Sequence, residues 1–234
     1  MASIHDIPPP KVLEDLESLD HKLDSEIPPK KIDENLLIAT WNIRSFGSLT
    51  RKWTSDSNDS PKRDLRGLRA ISDIISRFDV IAVQEAMGDL RALRDMMKYL
   101  GDGWSFLMTD ITGGQAGNRE RMVFIFDRHR VQPSGLACEI VVPPEWLVEI
   151  EENALKRQFA RTPYAVSFKA KDATFILVTL HVLFGEEEER SLEVEINEED
   201  IKTVMEQTGA SKEEALKAIK DNDNDLAKAI MALK

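Results

Sequence analysis

The chain has 234 residues, of which 42% are hydrophobic and 31% are charged. This composition supports a packed core and excludes a wholly disordered protein; one cysteine, Cys138, excludes an internal disulfide and a cysteine-based metal cluster. The net charge of −11 is concentrated at residues 186–234, with 15 acidic and 7 basic residues, whereas residues 36–135 have 12 acidic and 15 basic ones. The middle of the chain is therefore able to bind a polyanion.

Residues 1–35 contain proline clusters at 8–10 and 28–29, on either side of a short apolar pattern. The pattern has the spacing of a helix with one apolar stripe. Its apolar residues are Val12, Leu13, Leu16, Leu19 and Leu23. We expect this arm to lie along a neighbouring surface, and a disordered arm is the alternative.

Residues 36–185 alternate between strand-like and helical patterns. Strands are predicted at 36–41, 80–83, 122–126, 165–168 and 175–181, and helices at 65–75, 90–100 and 143–157. The polar stretch 47–64 predicts a long exposed loop. Strands that first alternate with helices and then follow one another indicate a mixed α/β layered domain.

Residues 196–234 have a different pattern, which predicts a compact three-helix bundle. Ser211 and Glu214 have the spacing of a capping box, and Gly209 is placed to end the first helix. The acidic stretch 186–195 is interpreted as a linker between this bundle and the α/β domain.

The residue types at two strand ends suggest a metal site. Asn42 ends the first predicted strand and Glu85 ends a neighbouring one. Carboxylate and carboxamide oxygens are the ligands that Mg²⁺, Mn²⁺ or Ca²⁺ take in proteins. An acidic residue at a strand end is also commonly solvated or caps the next helix, so the pattern alone leaves both interpretations open.

Two further residues suit chemistry on a phosphate. His181, inside an apolar strand pattern, is either a general acid or base or a core histidine. Arg161 is either a planar clamp for a phosphate or the partner of a surface acid.

Basic residues near the first strand end and the long loop suit contacts with backbone phosphates, and a solvated face is the alternative. They are Arg44, Arg51, Lys52, Lys62, Arg63, Arg66 and Arg69.

Four motifs in order resemble the endonuclease/exonuclease/phosphatase superfamily, and deoxyribonuclease I in particular. They are residues 37–47, residues 79–85, residues 119–126, and residues 161–163 with 177–181. The resemblance implies a DNase I-like four-layer α/β sandwich and a Mg²⁺-dependent phosphodiesterase or phosphatase. It also implies that Glu85 and Asn42 bind the metal, that His181 acts on the attacking water or the leaving oxygen, and that Arg161 contacts the phosphate.

The chain also departs from that superfamily. A Gly-Asp-x-Asn motif and a terminal Ser-Asp-His motif are absent from its sequence. We therefore expect a partial sandwich at residues 36–185 that lacks the second sheet, with weak or absent activity. One apolar face of the first sheet would then be uncovered, which favours a homo-oligomer.

The last 39 residues resemble a ubiquitin-associated (UBA) domain, of the kind that ends the α subunit of the archaeal nascent polypeptide-associated complex. The resemblance rests on residues 196–201 and 225–231 and on the loop 208–211. It implies binding of a protein partner, a nascent chain or the ribosome through residues 196–234.

Three functions follow as hypotheses. The first is a metal-dependent phosphodiesterase acting on nucleic acid, with a phospholipid or a sugar phosphate as other substrates. The second is a scaffold that binds a protein through the UBA-like bundle. The third is an accidental junction of two unrelated fragments near residues 186–196. The sequence shows no apolar run of the roughly 18 residues that a membrane span needs and no secretory signal pattern, so we expect a cytoplasmic protein without membrane contact.

Overall fold

The computed structural model describes residues 2–110, 120–141, 162–181, 198–222 and 226–233. The chain divides into two units, Met1–Leu183 and Phe184–Lys234. The helices of the first unit are α1 (Pro10–Glu26), α2 (Leu65–Ser76) and α3 (Arg91–Leu100). Its strands are β1 (Ile38–Phe46), β2 (Val80–Met87), β3 (Trp104–Met108), β4 (Glu120–Asp127), β5 (Gln132–Glu139), β6 (Tyr164–Ala170) and β7 (Ala173–Thr179). The helices of the second unit are α4 (Glu198–Thr208), α5 (Lys212–Asp221) and α6 (Leu226–Leu233).

The larger sheet of the first unit has the strand order β1-β2-β4-β3. β1 and β2 are parallel, whereas β4 is antiparallel to both β2 and β3. A parallel pair requires a crossover connection, and α2 supplies it. The Asp64 side chain caps α2 by accepting a hydrogen bond from the Gly67 N–H at 2.9 Å. Leu65, Leu68 and Ile75 of this helix are fully buried on one face of the larger sheet.

The N-terminal arm forms a helix, α1, that packs on the rest of the first unit, as its apolar stripe predicts. Val12 and Leu16 of α1 are buried in the same core as α2. Arg77 at the end of α2 forms ion pairs with Asp20 and Asp24 of α1. The arm is therefore held by a small apolar contact flanked by ion pairs.

The expectation that the second sheet is missing is wrong. A smaller sheet with the strand order β5-β6-β7 packs on the second face of the larger sheet. The Phe168 ring lies between the sheets, with ring centroids 5.8 Å from Phe124, 5.3 Å from Phe126 and 6.1 Å from Phe175. The larger sheet is therefore covered on this face, and the reason given for a homo-oligomer no longer holds.

Two strands of the smaller sheet, β6 and β7, coincide with the strands predicted at 165–168 and 175–181, whereas β5 carries no strand signal. All eight of its residues are exposed, so it has no alternation of buried and exposed positions, and Gly135 within it has a φ of 115°. Its place in the sheet depends on hydrogen bonds to β6, which begins 25 residues after β5 ends.

The stretch 47–64 has no helix or strand, as predicted, but it is less exposed than its polar composition suggests. Leu49 and Trp53 are buried in the core beneath it. The Thr50 N–H donates to the Arg63 carbonyl at 2.9 Å, which joins the two ends of the stretch. The loop is therefore anchored beside the end of β1.

The second unit is a bundle of α4, α5 and α6 around a core that includes Val204 and Ile219. The predicted capping box is present: the Ser211 N–H donates to the Glu214 carboxylate at 2.9 Å, and the Glu214 N–H donates to Ser211 Oγ at 3.3 Å. The bonds that the Ser211 N–H and the Ser211 hydroxyl donate to the Glu214 carboxylate, the latter at 2.8 Å, lower the pKa of Glu214, the backbone bond most. Gly209, with a φ of 72°, follows the first helix.

The predicted helix at 143–157, Arg161 and the linker at 186–195 lie outside the described residues. Among the described residues, no helix combines the length and the apolarity that a membrane crossing requires.

Candidate active site

The site begins where β1 and β2 run side by side. In the parallel register Asn42 of β1 lies opposite Gln84 of β2, one residue before Glu85. The Asn42 Nδ2 donates to Glu85 Oε1 at 2.8 Å. The structure therefore brings together the two residues that the sequence predicts as metal ligands.

Both strands are irregular at this point. The pairing register shifts between Asn42 and Phe46 in β1 and between Val83 and Ala86 in β2. Inside these bulges Ser45 has a φ of 49° and Glu85 a φ of 60°. Residues without a glycine's freedom rarely adopt this left-handed conformation, and it is concentrated at functional sites. Here the Ser45 N–H donates to Glu85 Oε2 at 3.1 Å, so both carboxylate oxygens accept a bond from β1.

His181 reaches the same site from the smaller sheet. It follows the end of β7, and its Nε2 lies 3.3 Å from Asn42 Nδ2 and 3.7 Å from Glu85 Oε1. Its side chain is 15% exposed and lies among polar groups, so it is not a core histidine. The three residues therefore meet although they come from both sheets.

Glu120 is a fourth member of the site, which the sequence analysis did not assign. It lies at the start of β4, and its Oε2 is 3.2 Å from His181 Nδ1. The side chains of Glu120 and His181 are both largely buried, so solvent screens their interaction weakly. A ring protonated at Nδ1 would leave Nε2 to accept a hydrogen bond from Asn42 Nδ2. The available signal was an acidic residue two positions before the apolar run 122–126.

Gln84 connects the two sheets beneath the site. Its buried Nε2 donates to Thr179 Oγ1 at 2.8 Å and to Thr40 Oγ1 at 3.0 Å. Thr179 ends β7 two residues before His181. This hydrogen bond therefore links the end of β7, just before His181, to β2, the strand that carries Glu85.

The donor set suits a hard divalent cation. Glu85 contributes a carboxylate and Asn42 an amide oxygen, because its Nδ2 is the atom that bonds Glu85. Mg²⁺ is commonly bound by one or two carboxylates together with waters and substrate phosphates. Within the described ranges no three His, Cys, Asp or Glu side chains form a cluster suited to a metal ion. The oxygen donors of Glu85 and Asn42 are therefore of the kind that binds a divalent cation.

The predicted phosphate-binding cations differ in their surroundings. Arg51 forms an ion pair with Asp95 at 2.8 Å, and Lys52 bonds Asp59 and Asp56 at 2.8 and 2.9 Å. The bond to Asp59, followed by that to Asp56, raises the pKa of Lys52. Arg44 is exposed beside Asn42 and forms no ion pair with the described residues. Of these three cations, Arg44 is therefore the one that is not paired with a carboxylate of the described residues.

Two family models match the chain. The model described as the endonuclease/exonuclease/phosphatase family matches residues 39–163, which is more than half of the chain. The model described as the HYPK UBA domain matches residues 194–233. Both resemblances noted in the sequence are confirmed by these matches.

Curated relatives match the end of the chain. Nascent polypeptide-associated complex proteins of Sulfolobus acidocaldarius and Methanothermobacter thermautotrophicus are 52% and 55% identical over 48 and 51 residues. These matches cover 20% and 21% of this chain and 41% and 44% of the relatives, so the chain spans less than half the length of either.

Among solved structures, an endonuclease/exonuclease/phosphatase family protein from Leptotrichia buccalis aligns with 76% of this chain and 63% of its own length. It has 13% sequence identity and a TM-score of 0.40.

Proposed function

The chain belongs to the endonuclease/exonuclease/phosphatase family, and we therefore propose that its first unit hydrolyses phosphodiester bonds, with nucleic acid as the substrate class. The observation that carries the proposal is the convergence of Asn42, Glu85, Glu120 and His181 at one end of the two sheets. It joins an oxygen donor pair to a histidine with a carboxylate partner, which suits hydrolysis of a phosphate ester.

Glu85 and Asn42 would hold Mg²⁺, or Mn²⁺ or Ca²⁺ in its place. When bound, the ion supplies Lewis-acid stabilisation of charge on the phosphoryl oxygens. Asn42 and the Ser45 N–H keep the Glu85 carboxylate oriented before the ion arrives.

His181 would move the proton. Its Nε2 faces Asn42 and Glu85, so it is placed to accept a proton from the attacking water or to donate one to the leaving oxygen. Glu120, whose Oε2 lies 3.2 Å from Nδ1, would orient the ring for this transfer.

Arg44 and Arg161 would contact the phosphate. Both are guanidinium groups, which match two phosphate oxygens at once. Arg44 is supported by its exposed position next to Asn42, and Arg161 by its place in the motif that resembles the family's phosphate-contacting arginine. We expect smaller contributions from Arg51 and Lys52, since both are paired with carboxylates of the chain.

The activity proposed is slow, because the Gly-Asp-x-Asn and Ser-Asp-His motifs are absent from this sequence. Nicking of supercoiled plasmid in Mg²⁺ and in EDTA tests the proposal directly. We expect nicking in Mg²⁺, none in EDTA, and none with Glu85→Gln, which keeps the size of the side chain and removes its charge.

The matched control is Glu34→Gln, which makes the same change at an exposed carboxylate that pairs with Lys31. It should nick like the unmodified protein. Nicking that persists in EDTA or in Glu85→Gln would come from a contaminant or a different site and would refute the proposal.

A second function is favoured by the match of residues 194–233 to a UBA domain and by the archaeal relatives. We propose that this unit binds a protein surface at the cytoplasmic ribosome, through apolar side chains of α6. Met231 is 71% exposed there. Met231→Ser in the full chain should reduce cosedimentation with ribosomes, whereas Ile7→Ser, at an apolar residue of the first unit that is 89% exposed, should not. Equal cosedimentation of both variants would exclude α6 as the contact.

A further inference from the structure

Arg63 differs from the other cations of the loop in what it contacts. Its guanidinium donates through Nη1 to the Ser45 carbonyl and through Nη2 to the Arg44 carbonyl. The same group lies 5.5 Å from the centroid of the Phe46 ring. The Arg63 guanidinium therefore contacts three consecutive residues at the β1 bulge. It does not point into solvent, as a phosphate-binding arginine would.

The backbone of Arg63 is itself held firmly. Its carbonyl accepts from the Thr50 N–H at 2.9 Å, and the next residue, Asp64, caps α2. Burial lowers the pKa of the guanidinium, so placing this charge against backbone carbonyls has a desolvation cost that the hydrogen bonds offset.

The bulge that Arg63 contacts carries the donor to Glu85. Ser45 adopts a left-handed conformation, with a φ of 49°, and its N–H reaches Glu85 Oε2 at 3.1 Å. Two carbonyls that converge on one planar guanidinium hold that conformation, because a fork of donors restricts both peptide planes at once. A point charge such as lysine cannot do the same.

We infer that Arg63 is a positioning residue: by bonding the Arg44 and Ser45 carbonyls it holds the Ser45 N–H on Glu85 and so preorganises the carboxylate for a divalent cation. The inference rests on the proposed function for the role of Glu85 as a metal ligand. Arg63 precedes Glu85 by 22 positions in the chain. In this role it contacts neither the metal nor the substrate.

The test compares Arg63→Lys with Arg44→Ala in the full chain. Arg63→Lys keeps the positive charge and removes the fork, whereas Arg44→Ala removes an exposed charge and leaves the bulge intact. Supporting residues of this kind typically change metal affinity 10- to 100-fold, so we expect the Mn²⁺ dissociation constant, measured by titration calorimetry, to rise about 10-fold in Arg63→Lys. Arg44→Ala should leave it unchanged and weaken DNA binding instead.

Hydrogen exchange of the Ser45 amide provides a readout that needs no metal. The amide should lose protection in Arg63→Lys and in Arg63→Gln, at unchanged circular dichroism and thermal midpoint. Unchanged Ser45 protection in both variants would overturn the inference, as would weakened DNA binding with an unchanged Mn²⁺ affinity, which would identify Arg63 as a phosphate contact. If the unmodified protein binds no Mn²⁺, the proposed function fails, and the exchange result still decides the role of Arg63.

Discussion

Replacing His181 by glutamine is expected to slow phosphodiester hydrolysis by about 10²- to 10⁴-fold, which is the usual contribution of a positioned acid or base. Glutamine keeps a polar side chain that can contact Asn42 but cannot take up a proton from water. The effect should appear in kcat, measured as the rate of plasmid nicking at saturating Mg²⁺ and DNA. Because His181 is only 3.7 Å from Glu85, Mn²⁺ affinity should be measured on the same variant to separate proton transfer from loss of the ion.

Glu120→Gln provides a graded comparison for this prediction. It preserves the shape around His181 Nδ1 but removes the negative charge 3.2 Å away, so its rate should fall between those of His181→Gln and the unmodified protein. His21→Gln, at an exposed position on α1, is the matched histidine control. A rate that is equal in His21→Gln and His181→Gln would show that His181 has no part in the reaction.

Replacing Phe168 by alanine is expected to destabilise the first unit by about 3–5 kcal/mol, the range for a buried phenylalanine. The ring is fully buried and contacts aromatic rings of both sheets. Alanine would leave a cavity between the sheets and remove those contacts. Urea unfolding followed by tryptophan fluorescence measures the change, since Trp53 is buried in the same unit.

Ile176→Ala is the control for that measurement. Ile176 lies on β7 next to Phe175 but is 57% exposed, so its loss should change the free energy of unfolding by no more than about 0.5 kcal/mol. If Phe168→Ala were as mild as Ile176→Ala, the smaller sheet would contribute little to the stability of the unit. The packing of two sheets described above would then not be the main source of its stability.

Short-range patterns in the sequence predict much of the local structure. The apolar spacing of residues 65–75 and 90–100 predicts α2 and α3 because helix faces repeat within one or two turns. The capping box at Ser211 and Glu214 is likewise a contact across three residues. Asn42 and Glu85 could be paired from sequence because the carboxyl ends of neighbouring parallel strands meet at one edge of a sheet.

The remaining features required the tertiary structure. β5 has no alternating pattern and exists through its pairing with β6. The strands that became β6 and β7 were predicted, but their assembly into a second sheet that covers the first depends on contacts between distant segments. Glu120 and His181 are 61 residues apart in the chain and lie side by side only after folding. Arg63 bonds the β1 bulge from a loop whose polar composition predicts only that the loop is exposed.

The sequence by itself therefore determined the family, the helices and most of the strands that the structure describes, and the residue types of the candidate site. The tertiary structure alone decided that Glu120 lies beside His181, that Arg63 bonds the backbone carbonyls of Arg44 and Ser45, and that a second sheet covers the first. The physical reason is that periodicity and capping depend on neighbours in the chain, whereas strand order, bulges and side-chain contacts between sheets depend on residues that only folding brings together.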